Sequence, residues 1–262
     1  TGARQSAATI RVKNHSYGPS TPFFNEDPDG SLRLAVKRTA LNKVIHVWSA
    51  GNDRGAANED SAKQQVIGTP YVITVAALGS DGKFANYSSF GANVFVTAPS
   101  SRSDLTGFGI TTTDRTGDGY GYNRHSPQNP NGDRTDAFSD TSYTSTFGGT
   151  SSSAPLVSGI MALGVQANAA MDLRMAQHVL VRTSDVVDTA DASASSSGGW
   201  RTNGAGFRFN PNYGFGNINA GKFVETLRKV AYVTDQTSHT TGSVAVNAAI
   251  PDNSTAGITR TF

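Results

Sequence analysis

A serine hydroxyl can attack a carbonyl carbon when hydrogen-bond donors stand ready for the charge that develops on the carbonyl oxygen. The stretch Gly148-Gly149-Thr150-Ser151-Ser152-Ser153-Ala154-Pro155-Leu156-Val157-Ser158-Gly159 has the composition for such a site. A glycine pair ends a polar loop, a serine follows, and an apolar run begins. Pro155 stands in what would be the first turns of a helix, where a missing N–H costs little. Ser151 would then face the positive end of a helix dipole and the free N–H groups of the first turn. Helix logic alone also allows a plainer reading, with Thr150 or Ser151 an ordinary N-cap. A second candidate is Val47-Trp48-Ser49-Ala50-Gly51-Asn52, an apolar run that stops at Gly-Asn. A carboxamide at the carboxyl end of a central strand can point into the crevice of an α/β sheet. A common turn uses the same pair. The third is Lys13-Asn14-His15-Ser16-Tyr17-Gly18. Its main chain could pair with an extended peptide, or it could be a strand end running into a loop.

Positioning these groups needs a framework, and the chain carries the pattern of one. Residues 9–14 alternate and predict a strand. Ser31 is expected to cap a helix running to about Asn42, with Leu32, Leu34, Ala35, Val36, Ala40 and Leu41 as its apolar positions. Residues 44–48, 71–77 and 94–98 are short apolar runs that read as buried strands. Helices alternating with such strands predict an α/β fold whose mostly parallel sheet is covered on both faces. Residues 100–149 form a loop-rich region, and residues 154–165 are apolar on nearly every side, as a buried helix is. An amphipathic helix is expected over residues 172–182, a flexible segment over 193–199 and a last helix over 219–230. The helical pattern ends after Thr234, so residues 1–233 are expected to form one domain and 234–262 a linker entering a β region.

Composition narrows the function further. The 262 residues suffice for one large domain or two small ones. With 28 glycines and only 16% charged residues, a coiled coil or long helical bundle is excluded. The chain has no cysteine, which removes disulfides, thiolate metal sites and cysteine nucleophiles. A net charge of +2 gives no reason to expect a nucleic-acid partner. No apolar run approaches the ~18 residues of a membrane span.

Read as a whole, Gly-Thr-Ser-x-x-Ala-Pro-x-x-x-Gly at 149–159 resembles the serine signature of the subtilisin-like peptidases, the subtilases. The G-x-S-x-G elbow of the α/β-hydrolases is not met, because residue 153 is Ser. The doubled glycine and Ala154-Pro155-Leu156 lean toward the kexin-like, proprotein-convertase branch. The segment Tyr213-Gly214-Phe215-Gly216-Asn217-Ile218-Asn219-Ala220 is similar to the end of that branch's catalytic domain. Residues 249–253 with Gly257-Ile258 resemble the opening of its P domain. The resemblance implies a three-layer subtilisin-like α/β fold, incomplete here and followed by the start of a β P domain. It implies a serine endopeptidase of the Ser-His-Asp type, with Ser151 as nucleophile and Asn52 as oxyanion donor. It makes Ser16, Tyr17, Gly18, Gly51 and Thr150 the peptide-binding residues. A peptide or protein substrate and an extracellular or cell-surface location follow by resemblance. So does calcium, with no ligand identifiable in this chain.

Departures from the family are equally informative. The family's Asp motif and its His-Gly-Thr-His motif are absent; none of His15, His46, His125, His178 and His239 is followed by Gly-Thr-His. Both motifs lie upstream of the substrate strand in the family, so the activating Asp and His are expected from outside residues 1–262. Those residues alone are expected not to hydrolyse peptides. The competing reading is a pseudopeptidase that binds extended peptides without cleavage, and a third is a structural domain without a site. Residues 18–21, Gly-Pro-Ser-Thr, lack the branch's acidic loop, and two further acidic positions fall at Gln64 and Ser89. Dibasic specificity and one calcium site are thereby put in doubt. Residues 114–119 space their oxygens like a calcium loop, but the twelfth position is His125, and a solvated turn is the expected form.

Overall fold

The computed structural model describes residues 10–19, 21, 23, 27–101, 109–116, 121–123, 136–196, 199–234 and 237. The chain divides into two units, Thr1–Tyr232 and Val233–Phe262. The expected P-domain opening lies outside the described residues.

The first unit is built on four parallel strands in the order β1 (Val12–His15), β2 (Ile45–Ser49), β3 (Ile73–Leu78) and β4 (Val94–Pro99). Every residue of β2 and β3 is buried. That explains why their sequences are mostly apolar without alternation, with His46, Ser49 and Thr74 as buried polar exceptions: both faces of a central parallel strand are covered. One face packs Trp48, Val66, Ile67 and Val72 against Val36 of helix α1 (Ser31–Leu41). The other face receives helix α2 (Thr150–Ala167), which contacts all four strands and buries Ala154, Val157 and Met161. Helices α3 (Leu173–Thr183) and α4 (Ala220–Leu227) pack behind it, capped by the side chains of Asp172 and Asn219. Two antiparallel pairs complete the described structure: β5 (Ile110–Thr113) with β6 (Tyr143–Phe147), and β7 (Arg201–Thr202) with β8 (Arg208–Phe209).

Local expectations fail at three places, each for a physical reason. Ser31 does not cap α1; the N-cap is Gly30 in the left-handed region, with φ 71°. The first-turn N–H groups of Leu32 and Arg33 are taken instead by Asp27, at 2.8 and 2.9 Å. Helix α2 is not buried all round: Pro155, Leu156, Gly159 and Leu163 are exposed, with Leu163 at 50%. Residues 193–196 form a 3-10 turn over Ala194–Ser196 with Ser196 fully buried, because their hydroxyls join a polar network with Arg54 and Asn212.

Parallel strands put all their carboxyl ends on one edge of the sheet. There β1 runs into residues 16–18 and β2 into residues 50–52. The N-terminus of α2 arrives at the same edge, where the Gly51 N–H donates to Thr150 Oγ1 at 3.2 Å.

Candidate active site

Ser151 is the second residue of α2, at the positive end of an 18-residue helix. Two features bring its loop there. Gly149 sits at φ 82°, a conformation that side chains disfavour. A Cβ on Gly148 would collide with the Ser101 side chain. The loop is then pinned from the sheet side. The Tyr87 hydroxyl accepts the Gly149 N–H at 3.0 Å, and the Ser100 hydroxyl donates to the Gly149 carbonyl at 2.9 Å.

Asn52 is held by the residue before the serine. Its Oδ1 accepts the Thr150 N–H at 2.8 Å and the Thr150 hydroxyl at 3.0 Å. A backbone N–H only donates, so the atom facing Thr150 is the oxygen and Nδ2 faces the other way. Among the described residues Nδ2 has no hydrogen-bond partner, and neither does the Ser151 N–H. A Cβ placed on Gly149 would lie 3.3 Å from Asn52 Nδ2 and 3.6 Å from the Ser151 nitrogen. The missing side chain at 149 therefore leaves a small open space bordered by two donors that are uncommitted among the described residues. Such donors stabilise a negatively charged oxygen.

The peptide-binding candidates lie on the same cleft. Ser16, Tyr17, Gly18, Gly51, Asn52, Thr150 and Ser151 all line one pocket of about 200 Å³, together with Pro19, Ser49, Asp53 and Gln64. All seven sequence-predicted residues are thus brought together. A larger cavity, about 780 Å³, lies among Val72, Val94, Phe95, Phe209 and Phe215 and contains none of them. Within the cleft the side chains divide their work. Ser16 Oγ donates to the Ser151 carbonyl at 3.2 Å and accepts from Asn14 Nδ2 at 2.9 Å, tying the β1 end to the helix. Thr150 is fully buried and commits both its donors to Asn52. Gln64 is only 4% exposed, its carboxamide has no hydrogen-bond partner among the described residues, and its Oε1 lies 3.2 Å from where a Cβ on Gly18 would be. Glycine at 18 lets that amide reach the pocket.

Sequence reading missed Tyr87, Ser100 and Asp53. The first two are far from the serine in sequence, and only the sheet register brings them to its loop. Asp53 directly follows Asn52 and was discernible as a carboxylate beside the oxyanion candidate. No imidazole among the described residues bonds Ser151. His15 and His46 bond each other, and His178 is on α3; His125 and His239 lie outside the described residues.

Of the calcium loop weighed at residues 114–125, residues 117–120 and 124–125 lie outside the described residues. The Ser89 hydroxyl accepts the Asp53 N–H at 3.1 Å. Asp114 already accepts three backbone N–H groups, those of Arg115, Tyr122 and Asn123. No cluster of three or more His, Cys, Asp or Glu residues suited to a metal occurs among the described residues. Likewise no described helix is long and apolar enough to cross a membrane.

A parallel sheet flanked by helices, with a serine at a buried helix's N-terminus and a carboxamide across from it, defines a subtilisin-like α/β fold. The subtilase family model matches residues 2–216, and the chain belongs to that family. It is 32% identical over 256 residues to the Aeromonas extracellular serine protease of Aeromonas sobria, covering 88% of this chain and 40% of that protein. It is 28% identical over 235 residues to the dibasic-processing endoprotease of Schizosaccharomyces pombe, covering 87% of this chain and 29% of that protein. The crystal structure of the Aeromonas sobria serine protease with its chaperone superposes with a TM-score of 0.75 at 28% identity, over 89% of this chain and 46% of that one. The chain thus spans less than half the length of the curated relatives it matches.

Proposed function

We propose that this chain carries the nucleophile, the oxyanion cradle and the peptide-binding edge of a serine endopeptidase. Ser151 attacks the scissile carbonyl, and the resulting oxyanion accepts hydrogen bonds from Asn52 Nδ2 and the Ser151 N–H. The histidine that takes the Ser151 proton, and the aspartate that orients it, come from outside residues 1–262. The substrate lies extended along residues 16–18 by main-chain pairing, with one side chain in the pocket floored by Gln64. Residues 1–233 form the catalytic portion and 234–262 the start of a P domain. The protein acts outside the cell or at its surface, on peptides or proteins.

One observation carries this reading: Asn52 Nδ2 and the Ser151 N–H, unpartnered among the described residues, both border the space open at Gly149, in a pocket that Ser151 lines. Further support comes from the exposed apolar stripe of α2 and from β1, an edge strand of the sheet among the described residues. Both are surfaces on which additional chain could pack. The test is labelling of the full-length protein with a fluorophosphonate. Labelling that Ser151→Ala abolishes is the expected result. Peptide binding without labelling would instead make the protein a non-cleaving binder. Residues 1–262 alone are expected neither to label nor to hydrolyse peptides at a measurable rate.

A further inference from the structure

The cleft's peptide edge is attached to a feature that the peptidase reading does not use. His15, the last residue of β1, and His46 of β2 are 31 positions apart in sequence. Their rings meet with Nε2 of His15 3.0 Å from Nδ1 of His46. His46 Nε2 lies 2.8 Å from Thr39 Oγ1 on α1, and His15 Nδ1 lies 3.0 Å from the Tyr17 hydroxyl.

The direction of each bond follows from the far end. Thr39 has one hydroxyl hydrogen, which is assigned to the Ala35 and Val36 carbonyls, 2.7 and 3.1 Å away; Thr39 donating to His46 Nε2 instead would reverse every bond of the chain. Thr39 Oγ1 can then only accept from His46, so the His46 hydrogen is on Nε2. With Nδ1 bare, His46 accepts, and His15 must carry its hydrogen on Nε2. His15 Nδ1 is bare in turn and accepts from the Tyr17 hydroxyl. The result is a one-way chain, Tyr17 to His15 to His46 to Thr39 to the α1 backbone, with both imidazoles neutral.

Tyr17 is also held at its other end, where its carbonyl accepts from Trp48 Nε1 at 2.6 Å. The His15 ring stacks on that same indole, with centroids 4.1 Å apart and planes within 9°. His15 therefore supports both attachments of Tyr17, and His46 fixes His15. We propose that His15 and His46 are positioning residues for peptide binding: their neutral pair locks Tyr17, and with it residues 16–18, in the conformation that pairs with substrate. This rests on the reading of residues 16–18 as the peptide edge.

Burial keeps the pair uncharged. It lowers His15 to about 4, helped by Lys13, and His46 to about 3, helped by His15 and Lys13. Lys13 of β1 is the charged side chain acting on both rings. From α1 the pair meets Thr39, while Lys37 and Arg38 of that helix are exposed; from β2 it meets Trp48. A first proton would force Nδ1–H onto His15 and turn Tyr17 from donor to acceptor. A second would set two N–H groups against each other at the His–His contact.

Two experiments judge the proposal. Nitrogen-15 NMR of residues 1–262 near neutral pH should show both rings protonated at Nε2 and bare at Nδ1. An Nδ1–H form of either ring overturns the chain. In the full-length protein, His46→Leu should raise KM for a peptide substrate about three- to tenfold, the worth of one hydrogen bond. The rate of fluorophosphonate labelling should stay the same. His46→Gln offers both a carbonyl and an N–H and should restore KM. Adding Tyr17→Phe to His46→Leu should cost nothing further. A loss of labelling in parallel with KM, or no rescue by glutamine, would reduce the pair to a structural role and end the proposal. Nanosecond motion of the Tyr17 ring, measured on residues 1–262, supplies a readout independent of turnover. It should rise in His46→Leu and not in His46→Gln. Should the wild-type protein prove unable to cleave or label, the peptidase reading falls, while tautomers and ring motion still decide whether the pair positions Tyr17.

Discussion

Two polar regions sit on the same framework and are built on opposite terms. Around Arg54, every strong group has a partner. Its guanidinium donates to the Ser88 carbonyl at 2.7 Å and to Ser195 Oγ and Asn212 Oδ1, each at 2.8 Å, and it lies over the Phe84 ring at 4.0 Å. Burial brings this arginine down to about 10. Asp191 accepts from Asn210 Nδ2 and Asn212 Nδ2, both at 2.9 Å. Burial alone would raise its carboxyl, but these amides and Ser193 hold it below the ordinary carboxylate range. In the cleft, by contrast, the Ser151 hydroxyl, the Asn52 Nδ2 and the Gln64 carboxamide have no partner among the described residues. A satisfied network stabilises the fold. Groups left open to solvent in the cleft cost the fold little and are free to bond a ligand. The first region should therefore answer to stability measurements and the second to chemistry.

The largest effect tests the second half of that contrast. Ser151→Ala in the full-length protein should lower turnover by about 10⁶-fold, the loss seen in subtilisin when its catalytic serine is removed. Its melting temperature should change little, because among the described residues the hydroxyl has no hydrogen-bond partner to lose. Next comes Asn52→Asp. It keeps the oxygen that clamps Thr150 but replaces the donor with a second oxygen. Turnover should fall by about 10²–10³-fold or more, with little change in melting. A comparable loss of stability in either variant would mean that the cleft groups are structural after all.

Arg54→Leu tests the other half. It removes the donor to the buried Ser88 carbonyl and one of the two donors to Asn212 Oδ1, and should cost about 2–4 kcal/mol of stability. Urea denaturation measures this directly. The labelling rate of the protein that remains folded should match the wild type. Gln64→Leu is smaller and of mixed sign. It replaces an amide that lines the pocket with an apolar side chain, so the stability of the free protein should stay about level. Preference among peptides should shift about tenfold from polar toward apolar side chains at the pocket, read as relative kcat/KM.

Much of this contrast was legible in the chain, and what was not has a common cause. Continuous apolar runs at residues 44–48 and 94–98 gave away β2 and β4, since a strand covered on both faces has no polar side to show. Ser151 and Asn52 stood out because each ends a polar turn next to an apolar element, and that junction is local. The α1 cap was misread because its acceptor, Asp27, acts from four residues before Ser31 around a left-handed glycine. The burial of α2 was overestimated because an all-apolar helix does not say which of its faces has neighbours. Tyr87 and Ser100 at the serine loop, and the His15–His46 pair, depend on strand register. Lys13 aligns with His46 and His15 with Trp48, so the two rings meet diagonally. No spacing rule in one sequence encodes such a diagonal before the strands are paired.

The last effect comes from that diagonal, and its sign is fixed. His15 and His46 bind protons at about 4 and about 3 in the folded chain, against 6.5 for a free imidazole. As pH falls through 6.5, the unfolded chain takes up protons that the folded chain refuses. Stability should therefore decline from about pH 6.5 down to about pH 4, by at most about 1.4 kcal/mol per pH unit for each ring. His178, lowered by burial and by Arg174 and Arg182, declines in the same direction. Asp114 and Asp136 act lower: hydrogen bonds outweigh their burial and keep them below 3.8, so their contribution is lost only as pH falls beneath that value. Subtracting the urea midpoints of His46→Gln from those of the wild type isolates one ring. The difference should be flat above pH 7 and should shift against the wild type between pH 6.5 and 4. A difference that stays flat to pH 4 would mean that His46 is protonated in the fold as easily as in water, and the one-way chain to Tyr17 could not hold.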